Sequence, residues 1–226
     1  MSGGNDIERL LRSSVDGKPV DGFTTELAGI APFRFPEERY FKIHLVRDGG
    51  CRSRRPVISG IFFAGRGRHI NPWMEVAYSP DVACTGPDGE DSSLDLSGTE
   101  AEESLFRLLS GLVPAGGRIM VEYGLKEHSR TAKALEKGVP PVLTGLGHLL
   151  YRSGFTTFKD WYFAEGWSEG NTKLQGEKPL DEEARKEQTR RLAAEVEKFI
   201  ASGRDAPGIA LDPEKMRRLL ESAAES

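Results

Sequence analysis

The sequence predicts an α+β fold with a mixed, largely antiparallel central sheet flanked by helices and a helical C-terminal extension. Three strand-like segments follow one another closely between residues 40 and 78. After them, helical and strand periodicities alternate, which is typical of helices that flank a sheet. From Pro179 onward the chain is highly charged, with apolar residues at helical spacing. We therefore predict an N-terminal helix with an irregular segment over residues 1–39, an α+β core over 40–180, and a helical extension over 181–226.

The first half of the chain predicts one short helix and a three-stranded meander. Ile7, Leu10 and Leu11 stand at helical spacing, whereas residues 17–38 are rich in glycine and proline and predict an irregular segment. β-branched and aromatic residues then alternate in three segments whose separations suit antiparallel strands. These predicted strands are Tyr40–Val46, Val57–Ala64 and Trp73–Tyr78.

The second half predicts helices that alternate with strands. Ser97 and Thr99 each precede a glutamate by three residues, and these overlapping capping boxes predict the start of a helix. Residues 155–164 carry aromatic side chains on both faces, so we expect this strand to lie inside the sheet rather than at its edge. Asp212 and Pro213 begin a last helix. The other predicted elements are a strand at Ile119–Tyr123 and helices at 129–137, 140–150 and 181–202.

Composition argues against several classes of function. The 226 residues include 31 basic and 35 acidic side chains, a net charge of −4, whereas a general nucleic-acid binder is normally strongly basic. Cys51 and Cys84 and the four histidines share no ligand spacing, so we expect no metal site. Nothing at the N-terminus resembles a signal peptide, and no apolar run approaches the ~20 residues of a membrane span. We expect a cytoplasmic protein without a membrane or nucleic-acid partner.

Charge is distributed unevenly along the chain. Residues 81–103 hold eight acids and no base, whereas residues 47–68 hold six arginines against one acid. Solvated loops are one interpretation of both runs. In the other, Arg66 and Arg68 of a Gly-Arg-Gly-Arg turn clamp a phosphate or a carboxylate, with His69 beside them.

An antiparallel meander followed by β-α-β-α-β resembles the GNAT acetyltransferase superfamily. The resemblance implies that Trp73–Tyr78 is the fourth strand and Ile119–Tyr123 the fifth, with the pantetheine arm of acyl-CoA between them. It also implies an enzyme that moves an acyl group from acyl-CoA to an amine. The stretch from Val113 through Gly154-Phe155 to Trp161–Gly166 also resembles an uncharacterised archaeal and bacterial family, known only as a domain of unknown function.

One motif of that superfamily is missing here. GNAT enzymes bind the CoA diphosphate through a glycine-rich R/Q-x-x-G-x-G/A loop ahead of a helix N-terminus. Residues 79–91 have no such spacing, and the next helix opens with Glu100, Glu102 and Glu103, which suit the helix dipole but repel a diphosphate. Acyl-CoA would therefore not be held in the standard way. A non-enzymatic ligand- or partner-binding module on a GNAT-like fold is the alternative.

A second resemblance is to the closing strands of a SAM-dependent methyltransferase. It is carried by Gly116–Tyr123, by Leu146–Leu150 and by Gly154-Phe155. Such a fold needs an early strand with a Gly-x-Gly-type turn into a helix, and the first half of this chain offers a meander instead.

Two acids inside apolar strands are candidate general bases. Glu75 shares a strand face with Trp73, a candidate for contact with the ligand, and Glu122 lies in the next predicted strand. A carboxylate on a half-buried sheet can accept a proton from an amine, but each acid could equally pair with an arginine such as Arg118 or face solvent. Tyr123 could return a proton to a departing thiolate, or be a core tyrosine with its hydroxyl at the rim.

The segment Trp161–Pro179 is the densest candidate for ligand binding. It combines aromatic faces, glycines and polar groups, as small-molecule pockets do. The alternative, compatible with the first, is a β-hairpin whose return strand is Asn171–Glu177. The C-terminal helices predict a structural appendage or a homodimerisation arm. The candidate ligand-binding side chains of the segment are Trp161, Glu165, Trp167 and Lys173.

Overall fold

The chain divides into two compact units, Met1–Val121 and Glu122–Ser226. The first unit holds the predicted meander, and the second holds a hairpin and the C-terminal helices. The computed structural model describes residues 3–47, 51–65, 71–85, 91–122, 129–162, 172–204 and 206–226.

The first unit combines two helices with a set of strands. Its last strand ends at Glu122, the first residue of the second unit. The helices are α1 (Gly3–Val15) and α2 (Glu100–Leu112). The strands are β1 (Pro19–Val20), β2 (Phe23–Pro32), β3 (Glu38–Arg47), β4 (Arg52–Ser53), β5 (Ile58–Phe63), β6 (Trp73–Tyr78), β7 (Asp81–Thr85), β8 (Asp91–Asp95) and β9 (Arg118–Glu122).

These strands form a mixed, largely antiparallel sheet in the order β9-β6-β5-β3-β4-β7-β8, with β2 also paired to β3. The predicted meander is confirmed, because β3, β5 and β6 are successive antiparallel neighbours. β9 lies on the other side of β6. The Arg118 N–H donates to the Pro72 carbonyl at 3.2 Å, so the two strands begin side by side and run parallel.

Alternating burial shows which face of this sheet points into the core. On β6, the buried side chains are Met74, Val76 and Tyr78, and on β9 they are Ile119 and Val121. Each such side chain that leaves water stabilises the unit by roughly 1.5–3 kcal/mol. Helix α2 contributes a buried apolar face, and α1 contacts α2. The buried apolar side chains of that face include Leu105, Phe106 and Leu109.

The second unit is built from helices and one hairpin. β10 and β11 pair antiparallel, which confirms the predicted return strand, and α5 packs on α6. The elements are α3 (Ser129–Glu136), a short 3₁₀ helix (Pro141–Leu143), α4 (Gly145–Arg152), β10 (Thr157–Tyr162), β11 (Thr172–Glu177), α5 (Glu182–Ala201) and α6 (Pro213–Glu225).

The C-terminal helices share a core with the segment that includes the end of α3 and the 3₁₀ helix. The apolar faces of α5 and α6 meet buried side chains between residues 134 and 143. These faces are therefore used inside the unit. The buried residues are Ala134, Val139, Val142, Leu143, Leu192, Val196, Phe199, Met216 and Leu220.

The prediction of an irregular segment over residues 17–38 was wrong, because β1 and β2 lie there. On β2, Phe23, Thr25 and Leu27 point inward, so a polar residue interrupts the apolar alternation that would have indicated a strand. The Thr25 hydroxyl is satisfied locally: it accepts the Lys18 N–H at 3.0 Å and donates to the Val15 carbonyl.

The interpretation of the acidic run 81–103 as a solvated loop was also wrong, because β7 and β8 form an antiparallel hairpin there. Val82 on β7 is buried, and Leu96 is fully buried just after β8. The hairpin also pairs with β4, a contact between distant parts of the sequence that the local charge pattern cannot indicate.

The prediction that β10 lies inside the sheet was wrong, because β10 is an edge strand of its hairpin. Among the residues that the structure describes, it pairs only with β11. Its aromatic content has another cause: Phe158 packs against the helical core of the second unit. Helices, rather than a second neighbouring strand, cover that side chain.

Candidate functional site

Strand β6 presents two unlike faces. Met74, Val76 and Tyr78 are buried, whereas Trp73 and Glu75 are half-buried and Ala77 is exposed. The burial alternation of the neighbouring β9 is the same, with Met120 half-buried between two buried residues. The candidate base Glu75 therefore lies on the face that solvent reaches.

Trp73 is held by an aromatic neighbour on the next strand. Phe63 pairs with Trp73 in the β5–β6 register, and the ring centroids lie 5.7 Å apart with an interplanar angle of 28°. This offset stack gives the open face of β6 a fixed apolar surface at its start. Trp73 and Glu75 are two residues apart, so the apolar surface and the carboxylate share one face.

The backbone at Glu75 is approached closely by β5. A Cβ atom at Gly60 would lie 2.4 Å from the Glu75 carbonyl oxygen and 2.8 Å from Val76 Cγ1. Neither distance is tolerable, so only glycine allows the two strands this approach. Gly60 thus contributes to the position of Glu75 on the sheet.

At the other end of β6, a tyrosine and a glutamate form a buried pair. The Tyr78 hydroxyl donates to Glu102 Oε1 at 2.9 Å, and the two residues are 4% and 8% exposed. The Phe106 ring packs edge-on against Tyr78 at 5.1 Å. Burial raises the pKa of the Glu102 carboxyl, although hydrogen bonds from Gly98 and Tyr78 oppose the shift. Burial and the nearby Glu102 charge raise the pKa of the Tyr78 phenol, so Tyr78 stays the donor.

The same glutamate closes the start of α2. The Thr99 hydroxyl accepts the Glu102 N–H at 3.2 Å, and Glu102 Oε2 accepts the Gly98 N–H at 2.7 Å. This capping box was predicted, but the pairing of Glu102 with Tyr78 was missed because 24 residues separate them. The N-terminus of α2 is thus occupied by a carboxylate of the chain itself.

The structure describes only some of the remaining predicted site residues. Glu122 is half-buried at the end of β9, and Lys173 on β11 is 2% exposed, in surroundings where an ammonium group needs a polar partner. The hairpin register brings Trp161 opposite Lys173. The other predicted site residues lie outside the described residues: Arg66, Arg68, His69, Tyr123, Glu165 and Trp167.

Two further features concern the described ranges alone. In them, no three or more His, Cys, Asp and Glu side chains come together in a way that could hold a metal ion. None of the helices in those ranges is both long and apolar enough to cross a membrane.

Fold and site together define an α+β protein whose largely antiparallel sheet carries, on strand β6, a half-buried face with the Glu75 carboxylate. The family described as "Protein of unknown function (DUF1122)" matches residues 21–203, so the chain belongs to that family. A solved structure of a protein of unknown function from Aquifex aeolicus VF5 is 32% identical, with 98% of each chain covered and a TM-score of 0.66. No curated protein matches. The predicted likeness to a family of unknown function is confirmed, and the GNAT likeness stays a prediction.

Proposed function

We propose that this protein is a GNAT-like acyltransferase that moves an acyl group from an acylated pantetheine thiol to an amine. The observation that carries the proposal is the pair of neighbouring parallel strands, β6 and β9, connected through the β7–β8 hairpin and α2. This is the strand pair that holds the pantetheine arm in the GNAT resemblance. The open face of β6 supplies the groups that such a reaction needs.

In the proposed reaction, Glu75 accepts a proton from the ammonium form of the substrate. The free amine then attacks the thioester carbonyl and a C–N bond forms. The C–S bond breaks to release a thiolate, and the nitrogen gives up a second proton that balances the one the thiolate takes up. The thiolate takes up a proton, for which the sequence offers Tyr123. Trp73 and its stacked partner Phe63 provide an apolar surface on the same strand face as Glu75.

The donor is proposed to bind mainly through its acyl-pantetheine arm. Glu102 caps α2, and a diphosphate placed there would meet a carboxylate instead of free amide groups. The predicted arginine turn, Arg66 and Arg68, is the alternative contact for the phosphates. We therefore expect acetyl-CoA and acetyl-pantetheine to bind with similar affinity, unlike donors held by a diphosphate loop.

The second candidate is a non-enzymatic binding module on the same fold. The capped start of α2 favours it, because Glu102 already occupies the helix start where the GNAT resemblance implies a phosphate. The methyltransferase alternative needs a strand, a glycine-rich turn and a helix in immediate succession. No such unit follows the strands that precede α2 in the described part of the chain.

Thermal unfolding of the full chain with separate ligands tests these alternatives. The ligands are acetyl-CoA, acetyl-pantetheine, CoA and S-adenosylmethionine. A true ligand at about a hundred times its Kd stabilises the fold by about 2.7 kcal/mol. We expect acetyl-CoA and acetyl-pantetheine to raise the Tm alike. A rise with S-adenosylmethionine alone would instead support a methyltransferase.

The matched variants Glu75→Gln and Glu8→Gln test the role of the carboxylate. Thiol release from acetyl-CoA is followed with a panel of primary amines. Loss of the general base should lower the rate about 10²- to 10⁴-fold without abolishing donor binding. Glu8 pairs with Arg12 on the surface of α1, so its amide variant should keep full activity. If no amine accelerates thiol release in the wild type, acyl transfer is wrong and the binding module is favoured.

A further inference from the structure

Strand β8 forms an edge of the sheet in the first unit. In the described part of the chain it pairs only with β7, and residues 92–95 are all exposed. A strand at such an edge has backbone N–H and C=O groups that can pair with a further strand. Four other strands separate β8 from β6 in the strand order, so this edge is independent of the acyl-transfer proposal.

The hydrogen bonds of the hairpin show which backbone groups of β8 point outward. The Leu96 N–H donates to the Pro80 carbonyl at 3.0 Å, so Leu96 is directed toward β7. Ala83, the β7 partner of Ser93, has its carbonyl turned to the other side, where it accepts the Arg54 N–H at 2.9 Å. Because these directions alternate along antiparallel strands, the N–H and C=O groups of Ser93 point away from β7. Ser93 therefore offers one donor and one acceptor to an added strand.

One face of β8 is apolar and reaches solvent at the edge. Leu94 stands opposite Val82, which is 1% exposed, and Leu96, two residues further on, is fully buried. Leu94 itself is 41% exposed. An added strand with an apolar side chain opposite Leu94 would remove this surface from water, which favours binding.

The other face of the hairpin is acidic. Asp95 stands opposite Asp81, and both residues are exposed. Hydrogen bonds from Ser97 lower the pKa of the Asp95 carboxyl, so this group is charged at neutral pH. Residues 81–103, which include the whole hairpin, contain eight acids and no base. A basic side chain on an added strand would therefore meet attraction on this face.

We propose that β8 is the docking edge for an extended basic segment of a partner protein, which adds one antiparallel strand to the sheet. Basic and apolar side chains alternate along this segment. An apolar side chain lies against Leu94, and a basic side chain lies beside Asp95. A second basic residue stands opposite Ser93 and exchanges both backbone hydrogen bonds with it.

Two peptides of the same composition test this in an NMR titration of the full chain. The first is acetyl-Lys-Val-Lys-Val-Lys-amide, and the second has the same blocked ends with the order Lys-Lys-Lys-Val-Val. We expect the alternating peptide to saturate shifts at residues 92–95. The reordered peptide should bind about tenfold more weakly, because its side chains cannot all point to the matching face. Equal binding of the two peptides would show attraction by charge alone and would overturn the proposal, as would a lack of saturation.

Methylation of single backbone nitrogens in the alternating peptide tests the strand pairing. A methyl group on the central lysine nitrogen removes the N–H that donates to the Ser93 carbonyl, so binding should weaken about tenfold. A methyl group on a valine nitrogen points away from β8 and should have little effect. Equal effects of the two methylations, or the reverse order, would contradict antiparallel pairing at this edge.

Two variants locate the bound peptide on the protein. Leu94→Ser removes the exposed apolar contact and should weaken the alternating peptide about tenfold. Asp95→Asn keeps an acceptor for the Ser97 N–H but removes the charge, so it should weaken binding and reduce its dependence on salt. The control Asp6→Asn removes an exposed acid on α1 and should change neither property. Unchanged thermal unfolding shows that the variants are folded, and equal binding by Asp95→Asn and Asp6→Asn would overturn the proposal.

Discussion

Helices α2 and α5 begin with the same kind of sequence, yet their first turns have different environments. Thr99 caps α2 and Asp181 caps α5, each accepting a backbone N–H three residues ahead, and each helix has glutamates in its first turn. Glu102 is buried and bonded to Tyr78, whereas Glu182 is on the surface and bonded to Arg185 at 2.6 Å. The local motif determines where each helix begins, whereas the surroundings determine whether its glutamate is buried and which group it bonds.

The pKa shifts of the two acids therefore have opposite directions. Burial raises the pKa of Glu102, while the hydrogen bond from Arg185 lowers the pKa of Glu182. One carboxylate closes a helix end inside the first unit, and the other contributes charge to an exposed helix. A capping motif by itself therefore does not show whether a helix end is open to a ligand.

The largest difference between the two helix starts is expected from removing each acid. Glu102→Ala leaves the Tyr78 hydroxyl and the Gly98 N–H without their acceptor in the interior, which should lower the free energy of unfolding by about 2–4 kcal/mol. Glu182→Ala removes an exposed ion pair and should have a much smaller effect. Urea unfolding of both variants measures the difference, and equal losses would contradict the contrast.

Removing the capping residues should lower the free energy of unfolding by a smaller amount, and the loss should be similar at the two helices. Thr99→Ala and Asp181→Ala each leave one first-turn N–H without a side-chain acceptor, at a cost of about 1 kcal/mol. Thr99→Ser and Asp181→Asn keep an acceptor and should recover most of that loss in the same urea titrations. A loss at only one helix would show that the two caps are not equivalent.

The smallest expected effect is a change in the free energy of unfolding with pH. Because the folded-state pKa of Glu102 is raised, the folded protein binds this proton more tightly than the unfolded chain does. Its contribution to stability is therefore present at low pH and is lost as the pH rises through the raised pKa. Glu102→Gln carries no such proton, so it should gain stability relative to the wild type as the pH rises above about 4, the ordinary pKa of a glutamate. Urea unfolding at several pH values tests this, and a difference that falls as the pH rises would contradict it.

Much of the fold could be predicted because its elements are defined by local patterns. The bounds of β6 agree with the alternation of Trp73–Tyr78, and the capping box at Thr99 gives the start of α2. β2 could not be predicted in this way, because Thr25 faces inward and is satisfied by residues seven and ten positions earlier. β7 pairs with β4, about thirty residues away, and β8 pairs in turn with β7.

Less of the candidate site than of the fold could be predicted from the sequence. Periodicity placed Glu75 and Trp73 correctly on one face of β6, because strand alternation is a local property. It could not show that Gly60 brings β5 close to Glu75, or that Glu102 reaches Tyr78. Both depend on contacts between distant segments.

The hairpin at the end of the sheet has a consequence for contacts between molecules. β8 is the last strand of the order, and Asp95 on it stands directly opposite Asp81 of β7. A second molecule that added its own β8 there would bring two aspartates to an edge strand that already carries two, Asp91 and Asp95. Charged residues on an edge strand oppose such growth into aggregates. The acidic run thus opposes edge-to-edge pairing of this sheet with the sheet of a second molecule.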